Sequence, residues 1–138
     1  MTFKFSQISL ERMSGVHPDL KLVFQAALDD SPVDFGIPGH GGLRTEGEQN
    51  ELFVKGKSKC DGFNEKSNHQ SGNALDFYAY VNGAASWNGV HLAMVAAVIL
   101  STAERLRIEG LINIEIKWGG TFGSDNFDGW DFPHIEIA

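Results

Sequence analysis

Apolar residues recur along the chain at two spacings, and each spacing predicts a different element. Leu20, Val23, Phe24, Ala27 and Leu28 follow one another every three or four positions behind His17, Pro18 and Asp19. This predicts an amphipathic helix to about Leu28, with Pro in its first turn and Val16 folded back as a staple. The segment LRTEGEQNELFVKG predicts a second helix, with Thr45 as N-cap, Glu48 completing a capping box and Gly56 as terminator. Trp87 to about Ile108 is the longest helical stretch. Period-two alternation instead marks Ala74 to Tyr80, Ile112 to Trp118 and His134 to Ile137 as strands, with a shorter strand at Asp34 to Ile37. Lys57 to Asn73 and Gly119 to Gly129 have no periodicity and read as loops. In compact domains loops this long are usually functional or disordered. Helices and strands alternate without a βαβ rhythm, so the expected fold is α+β: one domain over residues 1–138, with a small, largely antiparallel sheet flanked by helices.

Composition acts on this picture mainly by exclusion. With 42% hydrophobic and 21% charged residues in 138, the chain has the make-up of one ordinary globular domain. The run HLAMVAAVIL passes into STAERLR, so it is read as a core helix and no membrane insertion is expected. The N-terminus lacks the pattern of a signal peptide, which implies synthesis in the cytoplasm and export only with outside help. A single cysteine, Cys60, excludes an internal disulfide framework and any multi-thiolate metal site. A formal charge of −7 argues against nucleic acid as a partner, because phosphate binding needs clustered Lys and Arg.

The stretch SNHQSGNALDFYAY, Ser67 to Tyr80, raises a chemical question. As a strand it points Leu75, Phe77 and Ala79 to one face and Ala74, Asp76 and Tyr78 to the other. An ionised Asp76 among such neighbours needs a cation partner. His69 lies seven residues earlier, with Gly72 and Asn73 available to turn it back over the strand. Near the C-terminus Asp131 and His134 form DFPH. Two His and one Asp would supply three N/O ligands to zinc and leave a fourth position open, with little enough negative charge to keep the metal a strong Lewis acid. Taken singly, each residue also suits an ordinary role: a solvated loop histidine, a salt-bridged carboxylate, a satisfied core histidine, a turn aspartate. His17, His40 and His91 fall at a helix start, in a glycine loop and on an amphipathic helix, and His40 is the alternative ligand.

SNHQSGNALDF resembles the SxHxxGxAxD motif of the zinc D-alanyl-D-alanine carboxypeptidases and the related phage L-alanyl-D-glutamate endopeptidases, with Ser67, His69, Gly72, Ala74 and Asp76 matching. GLRTEGEQ is similar to the arginine block of that family through Arg44 and Gln49, and WGG, Trp118 to Gly120, precedes DFPHIE as in its C-terminal block. The resemblance implies that His69, Asp76 and His134 hold Zn2+ at the sheet and that Asp131 is the general base. It also implies that Arg44 binds a substrate carboxylate, with Gln49 and Ser67 assisting at the substrate. The short chain without signal or anchor looks most like the phage endolysin branch. That branch implies a monomer without a separate cell-wall-binding domain, kept in the host cytoplasm until holin-dependent release to the peptidoglycan of the wall or periplasm. The family often continues WGG with Asp and Trp, whereas Thr121 and Phe122 follow here, so the resemblance leaves contacts near that loop open.

Five more residues belong to the same region. Glu136 shares a strand face with His134 and either orients a ligand or rivals Asp131 as base. Asp125 and Asp128 read as solvated loop charges. Trp118 and Trp130 each suit either the core or a cleft wall. Three activities remain in view: an L-alanyl-D-glutamate endopeptidase, a D-alanyl-D-alanine carboxypeptidase using the same chemistry, and a non-catalytic zinc-stabilised binding module.

Overall fold

The computed structural model describes residues 2–123 and 129–138. Helix α2, Pro18–Asp30, starts at His17, whose Nδ1 accepts from the Asp19 backbone N–H at 3.0 Å, and it buries the expected stripe from Leu20 to Leu28. Helix α4, Gly89–Ile108, is capped by Asn88 and buries Leu92, Val95, Ala96, Ile99, Ala103 and Leu106. It is long and apolar enough by composition to cross a membrane. One face nevertheless packs on α2 in the core, as expected of a core helix. Between the helices and the sheets, Phe24, Phe35 and Phe77 meet edge to face at centroid distances of 6.1–6.3 Å. Helix α3, Glu46–Val54, has the full Thr45–Glu48 capping box.

Among the described residues the strands form two three-stranded antiparallel sheets where one was expected. Strands β1 (Asp34–Gly36), β3 (Tyr78–Val81) and β4 (Ala84–Ser86) form the first, in the order β1-β3-β4. Strands β2 (Ala74–Asp76), β5 (Ile116–Trp118) and β6 (His134–Ile137) form the second, in the order β2-β6-β5. The stretch from Ala74 to Tyr80 is therefore not one strand: it leaves the second sheet at Asp76 and enters the first at Tyr78. Its burial still alternates through Leu75, Phe77 and Ala79, all fully buried. Period-two patterning records which face a residue presents, and it is blind to which strand the backbone pairs with.

Three further differences have local causes. Helix α1, Gln7–Arg12, has no apolar stripe, and its buried residue is Ser9. Polar contacts hold it, since Ser9 Oγ accepts from the Ile37 N–H at 3.1 Å and Arg12 donates to Ile37 O at 2.9 Å. The β3–β4 hairpin turns on Asn82 and Gly83, both with positive φ, the dipeptide that favours such a turn. The third strand is shorter than INIEIKW suggested: the Asn113 N–H goes to Asp19 Oδ2 at 2.9 Å, and ladder pairing begins only at Ile116.

Candidate metal centre

The second sheet brings the C-terminal motif to the first histidine motif. In the β2–β6 register Asp76 is paired directly with His134, although 58 residues separate them in the chain. His69 arrives from a single 3₁₀ turn, Asn68–Ser71, inside the long loop. Ser67 caps that turn, accepting from the His69 N–H at 3.2 Å, and Gly72 closes it in the left-handed region. Gly72 therefore supplies the turn expected of it, and Ser67, expected at the substrate, shapes the backbone that carries His69.

Three ligand atoms converge. His69 Nε2 is 3.3 Å from His134 Nδ1 and 3.2 Å from Asp76 Oδ1, and His134 Nδ1 is 3.0 Å from Asp76 Oδ1. A tetrahedral zinc with bonds of about 2.0–2.1 Å separates its ligand atoms by about 3.3 Å, so the spacing fits. The far sides of the rings are engaged as well. His69 Nδ1 lies 3.0 Å from Gly42 O, and His134 Nε2 lies 2.8 Å from Glu136 Oε1. Each of these acceptors calls for an N–H opposite it, which turns the unprotonated nitrogen of each ring inward. Two lone pairs and a carboxylate facing one another at these distances require a cation between them. His69, Asp76 and His134 could therefore hold a metal ion.

The electrostatics agree with this geometry. Burial penalises the charge on Asp76, yet His69 and His134 outweigh it and hold the carboxyl far below its ordinary range. Burial also opposes charge on His134, but Asp76 and Glu136 push its pKa up to about 9. Without a metal, the trio keeps a proton in its place.

Asp131 stands beside the trio, with Oδ2 3.9 Å from His134 Nδ1. Its pKa is raised, first by burial and also by Asp76, although His134 opposes the shift. The first glycine of WGG explains its position: a side chain at Gly119 would collide with the Asp131 backbone, and the Asp131 N–H donates to Gly119 O at 3.2 Å. Glu136 reaches only the outer nitrogen of His134 and is anchored by Lys117 at 3.4 Å. It therefore occupies an orienting position on the far side of the ring from the convergent atoms.

The residues expected at the substrate are placed differently from one another. Arg44 is 11% exposed in its side chain, and its guanidinium donates to His40 O at 2.7 Å, Gln49 Oε1 at 3.1 Å and Asp76 Oδ2 at 3.2 Å. It braces the outer oxygen of the candidate ligand carboxylate. Gln49 is fully buried, accepts from Arg44 and donates to Ser58 Oγ and Cys60 O, and so supports Arg44 and the long loop from behind the cavity lining. Ser67 lines the cavity but spends its hydroxyl on the turn of His69. His40 pairs with Glu48 and His91 with Ser86, and neither joins the site.

The trio forms the floor of a cavity of about 450 Å³. Trp118 is a core residue, its indole N–H bonded to Phe132 O, whereas Trp130 is 71% exposed and lines the cavity. Phe122, where this chain departs from the expected motif, lies 5.6 Å from Trp130 and 5.7 Å from His134, centroid to centroid. Trp130 thus takes the cleft-wall alternative offered by the sequence, whereas Lys57, Lys59 and Lys66, which also line the cavity, were not singled out, because exposed lysines have no pattern until a loop closes around them. Asp125 and Asp128 lie outside the described residues.

Comparison with known proteins gives the arrangement its context. Over 88 residues the chain is 38% identical to the L-alanyl-D-glutamate peptidase of Escherichia phage T5, covering 64% of this chain and 62% of that enzyme, so the match spans just under two thirds of the curated relative. The structure aligns with the crystal structure of the Serratia marcescens L-Ala D-Glu endopeptidase ChiX at a TM-score of 0.77 and 30% identity, over 100% of this chain and 90% of that one. Residues 1–138 match throughout the family described as phage L-alanyl-D-glutamate peptidase, and the chain belongs to that family.

Proposed function

We propose that this protein is a zinc-dependent phage endolysin that hydrolyses the L-alanyl-D-glutamate bond of the peptidoglycan stem peptide. The observation that carries the reading is the tetrahedral spacing of His69 Nε2, Asp76 Oδ1 and His134 Nδ1 beside Asp131, in a chain of this family. His69, Asp76 and His134 would hold the zinc, and the chemistry supplied there would be Lewis-acid polarisation of a carbonyl and acidification of water. Asp131 Oδ2 is the group that would take a proton from the attacking water and return it to the leaving amine, a role suited to a carboxylate whose basicity burial has raised. Glu136 and Gly42 O keep the two imidazoles oriented, and Arg44 holds Asp76 against rotation. The protein acts as a monomer, held in the host cytoplasm until a holin admits it to the wall.

Digestion of purified peptidoglycan with the zinc-loaded protein, followed by mass spectrometry of the fragments, tests the reading. New N-terminal D-glutamyl peptides are expected. Release of free D-alanine alone would identify a carboxypeptidase, and intact peptidoglycan would leave a zinc-stabilised binding module.

A further inference from the structure

The cavity mouth carries cations that the chemistry on its floor does not use. The chain is acidic overall, yet four of its eleven Lys and Arg residues, Arg44, Lys57, Lys59 and Lys66, line this one cavity. Arg44 is occupied: three of its nitrogens donate within the protein. The lysines are exposed, and none forms an ion pair with an acidic residue among the described residues. Of the two acids in their loop, Asp61 turns Oδ1 back onto the N–H groups of Phe63, Asn64 and Glu65, and Glu65 is exposed and forms no ion pair among the described residues. Lys59 Nζ instead sits 5.8 Å from the Trp130 ring centroid, which carries positive charge across the mouth to the aromatic wall.

A glutamyl residue has two carboxyl groups. One continues the peptide and the other stands free as a carboxylate beside the scissile bond. With Arg44 committed to Asp76, that carboxylate needs another cation. We propose that Lys57, Lys59 and Lys66 form an anion subsite that binds the free carboxylate of the D-glutamyl residue, with Trp130 and Phe122 as its apolar wall. The inference rests on the L-alanyl-D-glutamate reading and assigns its product-side recognition to the long loop. Steering of an anionic substrate into an otherwise acidic protein follows from the same placement.

The test uses the peptide product, which begins with D-glutamate and lacks the scissile bond, as free acid and with that carboxylate converted to an amide. Both are titrated calorimetrically into zinc-loaded wild-type protein and into Lys57→Gln/Lys59→Gln/Lys66→Gln. Wild type is expected to favour the free acid about tenfold, as one charge-assisted contact allows. The triple variant should lose that preference while keeping its zinc content, and the corresponding arginine variant should retain it. Equal binding of the two peptides by wild type, no binding of either, or a preference that survives the triple substitution overturns the inference. Digestion of peptidoglycan separates the two claims: cleavage without the preference removes only the lysine site, and the preference without cleavage removes only the proposed reaction.

Discussion

On the cavity floor His69 and His134 are buried, Asp76 is half-buried, and each has a further contact fixing its orientation: Gly42 O, Glu136 and Arg44 respectively. On the rim Lys57, Lys59 and Lys66 are exposed, and Trp130 has 71% of its surface in solvent. The floor is built on a paired strand register and a capped turn, whereas the three rim lysines sit on the irregular part of the long loop before that turn. Metal chemistry tolerates little misplacement, so its groups need rigid elements and outer partners. Recognition of a flexible peptide tolerates adjustment, and long exposed side chains supply it. The contrast predicts that floor substitutions act on metal binding and kcat, whereas rim substitutions act on KM.

The most severe break should be His134→Ala, which removes one of the three proposed ligands. Zinc content measured by elemental analysis and turnover of peptidoglycan should both fall to near zero. Full turnover in this variant would mean that the trio is not the metal site. Next, Asp131→Asn should keep zinc and lower kcat by roughly 10²–10⁴-fold, the range of general acid–base catalysis. Steady-state kinetics beside Glu136→Gln sharpen the assignment, because near wild-type turnover in the first and loss in the second would make Glu136 the base.

Glu136→Gln itself is expected to weaken zinc binding by about 10–100-fold, since the partner of His134 loses its charge; competition with a fluorescent chelator measures it. A subtler effect follows from the raised pKa of His134, which leaves the metal-free protein protonated there at neutral pH. Zinc must displace that proton, so uptake near pH 7 should release about one proton and affinity should rise about tenfold per pH unit up to roughly pH 9. Calorimetry in buffers of different ionisation enthalpy reads the proton directly, and an uptake that is independent of pH would contradict the shift.

Arg44→Lys should give the smallest change. It keeps a charge near Asp76 and loses the contacts to His40 O and Gln49. Zinc affinity should fall a few-fold, with a smaller effect on KM. The opposite outcome, a raised KM at unchanged zinc affinity, would return Arg44 to the substrate-binding role that the sequence resemblance implies.

The sequence by itself determined the elements whose signal is local: the stripes of α2 and α4, the capping box of α3, the positions of β2 and β6, and the spacing that singled out His69, Asp76, Asp131 and His134. These are readable because caps and periodicities act between residues a few positions apart. Tertiary structure decided the rest. It split Ala74 to Tyr80 between two sheets, held α1 by polar contacts that no apolar stripe announces, and turned Arg44 and Gln49 inward toward Asp76 and the loop. It also separated the two tryptophans, Trp118 into the core and Trp130 onto the cavity wall. Each of these outcomes depends on a partner far away in the chain, and hydrophobic pattern carries no record of which distant group a backbone or guanidinium will meet.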